Sequence, residues 1–301
     1  GVQVLSNRLI GLAEILERLN SRWSPHPIQA QIGHALFYKS VKNIFVCAAR
    51  NFGKTELSSY ALWRWAAENP GSENYIILPL AVQGREILWA SERLQRFGPW
   101  DWIEGINSTE MRITFRNGSF IKVTGSDNAA ALAGIKPKGL IVYDEVADHR
   151  EQSIKNMEPN RAAFDSPALF VGSPPEFDCY YVELMELAKR SPHWKFFHAP
   201  TSANPHISRE WLRRKKEEMV DSGDEEGWLR SYEGVYVKGG KKHIFPQFLK
   251  YKPKPLPDLL PKDINKWWLV THFDPASTSV FGVLFSLYNP HNKRLILVDE
   301  V

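Results

Sequence analysis

Residues Asn43 to Ala67 read NIFVCAARNFGKTELSSYALWRWAA, and this stretch decides the fold. Its first six residues, NIFVCA, form a β-branched and aromatic run followed by a Gly-containing turn, which predicts a short buried strand. Thr55 through Ala67 then spaces Leu57, Tyr60, Ala61, Leu62 and Trp65 as on a helix, and the pattern stops before Asn69-Pro70-Gly71. The order is strand, loop, helix. Between the two lies Ala48-Ala49-Arg50-Asn51-Phe52-Gly53-Lys54-Thr55, which matches the phosphate-loop pattern except that Ala48 replaces the first Gly. Gly53 lets backbone N–H groups approach phosphate oxygens, Lys54 reaches the terminal phosphates, Thr55 holds magnesium, and the helix presents its positive end. Residues 49–55 are therefore candidate nucleotide-binding residues, because a chance GKT would rarely have both flanking elements.

Leu140-Ile141-Val142-Tyr143-Asp144-Glu145 is a buried strand ending in two carboxylates. Alone it could be a strand that stops at a solvated acidic edge. Paired with the upstream loop it supplies Asp144 for the magnesium and Glu145 to orient and deprotonate the water that attacks the γ-phosphate. A carboxylate beside the magnesium Asp favours water as acceptor over a substrate hydroxyl, so the expected activity is ATP hydrolysis, with Glu145, Arg50 and Lys54 as catalytic candidates.

Further out, the apolar runs Tyr75–Leu78, Phe120–Val123, Leu140–Tyr143 and Leu169–Val171 are bounded by polar or turn residues, with helical patterns between several of them. This alternation predicts an α/β fold, a mainly parallel sheet flanked by helices. Arg112–Val123, RITFRNGSFIKV, departs from it, since two alternating arms around Asn117-Gly118 predict a hairpin and a local antiparallel addition. Ser208–Met219 is helical, with Arg213, Arg214, Lys215 and Lys216 on one side. Val237–Lys254 holds six Lys and no Asp or Glu, and reads as a connector before PLPDLLPKD. From Trp267 come WWLVTHFD, VFGVLFSLY and RLILVDEV, three strands beginning a second sheet. Three strands with an open side make a poor independent domain, so the natural protein is expected to continue past Val301. The expected organisation is an ATPase unit over 1–240 with a small helical lid at about 200–236, a basic Pro-rich linker over 241–266, and a truncated second domain over 267–301.

Composition excludes much else. A chain of 301 residues with 43% hydrophobic and 24% charged residues has room for two units and is not disordered in bulk. No run approaches the roughly 20 apolar residues of a membrane span. The start, GVQVLSNRLIGLAEILERLN, carries charges spaced for an amphipathic helix and lacks a cleavage site, so a cytosolic location is expected. Cys47 and Cys179 form neither a disulfide framework nor a CxxC zinc pair. The net charge of +4 permits a polyanionic partner without demanding one.

These pieces, in their order, resemble the large subunit of a tailed-phage terminase, the ATP-driven motor that pumps viral DNA into a procapsid and cuts it. The resemblance rests on AARNFGKT, on Tyr75–Trp89 (YIILPLAVQGREILW), on IVYDEVAD and LFVGSPP, and on GVYVKGGKKHIFPQF, which is similar to the family's passage from motor to nuclease. It implies that Ser173 in VGSPP is the coupling residue that senses the γ-phosphate, although a Ser-Pro turn is the plain reading. It implies that Gln29 in His26-Pro27-Ile28-Gln29 reads adenine, since an amide donates and accepts at once, with a surface Gln in a Pro-containing loop as the competitor. Arg50 would stabilise charge during transfer or pair with Glu145 at rest. Where many relatives carry Leu-Arg-Gly, this chain has Leu132-Ala133-Gly134, so a trans-acting arginine would come from elsewhere or be replaced by Lys136 or Lys138.

The resemblance further implies a C-terminal ribonuclease H-like nuclease. His272-Phe273-Asp274-Pro275-Ala276 is similar to its start, with Asp274 as the first ligand of two divalent ions, Mg2+ or Mn2+. Asp299 or Glu300 would be a peripheral ligand or a solvated strand end. The implied cofactors are ATP and Mg2+. The implied partners are double-stranded DNA, a portal protein, a small terminase subunit and a ring of identical subunits on the procapsid, in the host cytoplasm and without a membrane. DNA contact would be electrostatic and sequence-tolerant, through the lysine-rich connector or the Arg213–Lys216 helix. A helicase-like remodeller and a nucleotide-binding scaffold without turnover are the alternatives.

Overall fold

The computed structural model describes residues 11–39, 41–127, 132, 134–238, 261–262, 264–274 and 282–300. The chain divides into two compact units, Gly1–Lys241 and Lys242–Val301.

The first unit is built on eight strands: β1 Asn43–Ala48, β2 Glu73–Leu78, β3 Ile103–Asn107, β4 Arg112–Phe115, β5 Phe120–Gly125, β6 Ile141–Asp144, β7 Ala168–Gly172 and β8 Trp194–Ala199. They lie in the order β3-β4-β5-β2-β6-β7-β1-β8. From β5 to β8 every pairing is parallel, with Val46 opposite Val171 and Tyr143 opposite Phe170. Parallel strands covered on both faces read as unbroken apolar runs, which is why NIFVCA and LIVY stand out in the sequence.

Alternation along each strand sends successive side chains to opposite layers. Ile44, Val46, Ile76, Val142, Leu169 and Val171 enter one core, which holds the buried faces of α1 (Leu12–Arg22), α2 (Pro27–Phe37) and α3 (Lys54–Glu68). Phe45, Cys47, Tyr75, Ile77, Ile141, Tyr143 and Phe170 enter the other, with buried residues of helices Glu151–Ala162 and Tyr180–Arg190. Tyr143 and Phe170 stack there at 4.8 Å.

The predicted hairpin is present, and its turn is held by Asn117 Nδ2 donating to Ala66 O at 2.8 Å with Gly118 at φ 81°. Its second arm, β5, belongs to the parallel sheet through β2, so the antiparallel addition consists of β4 and β3 instead. Neither β3 nor β8 stands out in the sequence. Both are edge strands, and an edge strand with one solvated side carries a weak apolar signal.

Beyond β8, a turn at Thr201–Ala203 leads to the helix Arg209–Asp221 and a short helix Glu225–Trp228, over the span expected to form a lid. Ser208 Oγ caps the longer helix by accepting from Trp211 N at 3.2 Å, and Trp228 stacks on Tyr232 at 4.8 Å. Residues 1–10, where the amphipathic pattern begins, and 239–260, which hold most of the lysine-rich connector, lie outside the described residues.

The second unit contains β9 Trp268–Asp274, β10 Gly282–Asn289 and β11 Arg294–Glu300, an antiparallel sheet in the order β11-β10-β9. Asp274 ends β9, and its side chain, like those of Asp299 and Glu300, lies outside the description. Among the described residues no helix is long and apolar enough to cross a membrane.

Candidate active site

Because β6, β7 and β1 are adjacent and parallel, their carboxyl ends converge on one edge of the sheet, where ligands of such folds bind. Each end carries one of the residues singled out from sequence. Lys54, after β1, donates from Nζ to Ser173 Oγ at the end of β7 (2.8 Å) and pairs with Glu145 Oε1 at the end of β6 (3.2 Å). Lys54 is 12% exposed, so its ammonium depends on these two partners. Of the two roles open to Arg50, the resting pair with Glu145 is taken by Lys54, and the Arg50 side chain is exposed. Lys54 wins because it opens α3, directly beside β7 and β6.

The loop is shaped by two left-handed residues, Asn51 at φ 58° and Gly53 at φ 96°. Gly53 is the N-cap of α3, and the amides of that helix's first turn have no intrahelical partner. Ala49 N and Arg50 N, within the candidate nucleotide-binding stretch, donate to Ala199 O and Ser231 O, both at 2.8 Å. The 199–234 segment grips the loop further. Thr201 Oγ1 donates to Arg50 O at 2.6 Å, and Asn204 Nδ2 donates to Asn51 O at 2.7 Å. Gly234, at φ 68°, brings its backbone so close that a Cβ would sit 3.2 Å from Ala49 N. Nothing in the spacing of Thr201, Asn204 or Gly234 betrays this role in the sequence.

Gln29 is 4% exposed and sits in the first turn of α2, so it is neither on the surface nor in a loop. Its Nε2 donates to Gly53 O at 3.2 Å and its Oε1 accepts from His26 N at 3.1 Å. Both halves of the amide thus brace backbone, and His26 Nε2 donates to Phe52 O at 3.2 Å. Beside them a cavity of about 470 Å3 opens between Trp23, His26 and Gln29 on one side and Asn204 and His206 on the other, with Phe52 and Gly53 along it. It lies next to the phosphate loop and has the size of a small-ligand pocket.

Asp144 is 5% exposed, and its Oδ1 accepts from Glu145 N at 3.1 Å. Burial, reinforced by the neighbouring Glu145 carboxylate and opposed by Lys54, pushes its carboxyl up to about 7. A divalent cation would relieve this buried charge, and Asp144 with Thr55 offers the hard oxygen donors that magnesium prefers. Among the described residues no group of three or more His, Cys, Asp or Glu side chains could cage a metal. A cation here would take most of its ligands from phosphate and water.

The remaining candidates separate. Lys138 pairs with Glu73 (3.7 Å) at the amino end of β2, the edge opposite the phosphate loop, and Lys136 is exposed. Ala133 lies outside the described residues. On the basic helix, Arg213 and Lys215 pair with Glu217 (3.2 Å) and Glu218 (3.1 Å), which offsets part of its positive charge.

No protein-family model matches the sequence, and no curated protein matches it either. Solved structures do. The ATPase domain of the large terminase of Thermus phage P74-26 is 20% identical over 76% of this chain and 100% of that domain, with a TM-score of 0.59. The large terminase of another thermophilic bacteriophage, solved with ADP, is 15% identical over 92% of this chain and 67% of that one, with a TM-score of 0.58. Its complex with ATP-gamma-S superposes with a TM-score of 0.57. The chain has the fold of a phage large-terminase ATPase domain, the α/β architecture expected from its sequence.

Proposed function

We propose that this chain is the ATPase motor of a phage large terminase, hydrolysing ATP to move double-stranded DNA into a procapsid. The observation that carries this reading is the meeting of Lys54, Glu145 and Ser173 at 2.8 and 3.2 Å on three neighbouring strand ends. Two terminases of the same fold have been solved, one of them with ADP and with ATP-gamma-S, which supports nucleotide binding here.

Without nucleotide, Lys54 neutralises Glu145. A triphosphate on the loop would draw the Lys54 ammonium toward its own oxygens, leaving Glu145 free to hold a water and take its proton. Ser173 Oγ accepts from Lys54, so the same movement is felt at the end of β7, and this is the basis of its proposed coupling role. Magnesium, held by Thr55 and Asp144, would supply charge neutralisation at the phosphates. Gln29 would keep Gly53 in its left-handed conformation while its flank borders the pocket for the base.

Double-stranded DNA, a portal, a small terminase subunit and a ring of identical subunits are the partners this reading entails. Residues 200–236 serve as the lid and 241–266 as the linker. The strands from Trp267 are assigned to the opening of a ribonuclease H-like nuclease with Asp274 as a metal ligand.

Phosphate release by wild type and Glu145→Ala, with and without double-stranded DNA, tests the proposal. We expect turnover that DNA stimulates and that the variant loses by roughly 10²-fold or more, as for removal of a general base. Equal turnover in both proteins would overturn it.

A further inference from the structure

His149 belongs to none of the sequence motifs, yet its side chain is 7% exposed and reaches back to the candidate site. Its Nε2 donates to Asp144 O at 2.8 Å. The N–H of the same peptide, that of Glu145, donates to Asp144 Oδ1 at 3.1 Å. Both polar ends of the Asp144–Glu145 peptide plane are therefore fixed. This matters because Glu145 adopts φ 52° and ψ 55°, a left-handed conformation that disfavours side chains other than glycine by about 1 kcal/mol or more.

Relaxing this φ would relieve the strain, either by turning the peptide plane or by swinging Glu145 and its carboxylate away from Lys54. The turn that follows is closed by Asp148 N donating to Glu145 O (3.0 Å) and His149 N donating to Val146 O (3.3 Å). Behind it the chain has no slack, since even a Cβ on Gly172 would lie 2.8 Å from Val146 N. The imidazole is itself held edge-on against the buried Tyr143 ring at 5.9 Å. Donation to a carbonyl fixes the Nε2–H tautomer, and Nδ1 is buried without a partner among the described residues. A ring that leaves one nitrogen unsatisfied in order to reach a backbone carbonyl is poorly explained by packing alone.

We infer that His149 is a positioning residue, which locks the Asp144–Glu145 peptide so that the Glu145 carboxylate is held where the attacking water is activated. This rests on the reading of Glu145 as the general base. His149→Phe keeps the aromatic shape and removes the donor, whereas His149→Gln restores an N–H that can reach the same carbonyl.

The test measures kcat for ATP hydrolysis, affinity for an ATP analogue and the melting temperature of both variants. His149→Phe should lower kcat by roughly 10- to 100-fold, the scale of a displaced catalytic group, with affinity within about twofold of wild type, and His149→Gln should recover most of the loss. In a Glu145→Gln background, His149→Phe should cause no further loss. Unchanged kcat in a folded His149→Phe variant, or equal losses in the two variants, overturns the inference. If Glu145→Gln itself retains full turnover, the reading of Glu145 fails instead. Should neither variant fold, the nitrogen shifts of the His149 ring in the native chain decide: the Nε2–H tautomer supports the inference, and the Nδ1–H tautomer overturns it.

Discussion

Asp144→Asn is nearly isosteric and keeps an oxygen to accept from Glu145 N, so it removes the charge of a buried carboxylate while leaving its 3.1 Å contact in place. In the unfolded chain Asp144 titrates near its ordinary value of 3.8, and in the fold at about 7, raised first by burial and then by Glu145. Between those values the native state keeps a proton that the unfolded state has released, so the wild-type unfolding free energy falls as pH rises and levels off above about 7. At about 1.4 kcal/mol for each pH step, the total is on the order of 4 kcal/mol.

The variant carries no such titration. Urea unfolding followed by tryptophan fluorescence, without nucleotide or magnesium, should show a stability difference, variant minus wild type, that is small at pH 4. It should climb to the order of 4 kcal/mol by pH 8, with the other carboxylates cancelling in the difference. Adding Mg-ATP should favour the wild type, because its charged carboxylate ligates the cation more strongly than a neutral amide oxygen. A difference that stays flat between pH 4 and pH 8 would refute the claim that this carboxylate is charged only at a penalty, and with it the reason for expecting a cation beside it.

Other substitutions probe the neighbouring parts. Gly53→Ala puts a Cβ 2.7 Å from Gln29 Nε2 at φ 96°, so it should destabilise the fold by about 1–2 kcal/mol and weaken nucleotide binding in calorimetry. Ser173→Ala removes the acceptor of the 2.8 Å bond from Lys54, and turnover should fall by about tenfold while thermal melting shifts little. Arg50→Ala should abolish turnover and leave binding of an ATP analogue largely intact, as expected of an exposed guanidinium that acts only on charge developing during transfer. Unchanged turnover would remove Arg50 from the mechanism.

The elements that the sequence announces are the central ones. NIFVCA and LIVY are buried on both faces, so nearly every residue in them is apolar, and their loop and acidic ends carry side chains whose chemistry is specific. The edge strands β3 and β8 escape notice because solvent on one side thins their pattern. The grip of Thr201, Asn204 and Gly234 on the phosphate loop is invisible for another reason. It consists of hydrogen bonds and close approaches to backbone atoms at least 151 residues away in the chain, which no local periodicity encodes. Gln29 is intermediate: its position beside the loop follows from the motif, but its use of both amide ends on backbone does not. The order β6-β7-β1 brings the loop after β1 to the end of β6, and it is the start of α3 at Lys54 that makes the partner of Glu145 Lys54 rather than the exposed Arg50.

The most direct measurement is a crystal structure of the chain with ATP-gamma-S and magnesium. The phosphates should lie along residues 51–55 with Lys54 turned from Glu145 toward the terminal phosphate, the cation between Thr55 and Asp144, and the base in the cavity beside Gln29 and His206. Nucleotide bound elsewhere, or a Lys54–Glu145 pair still closed beneath an ordered triphosphate, would contradict the motor described above.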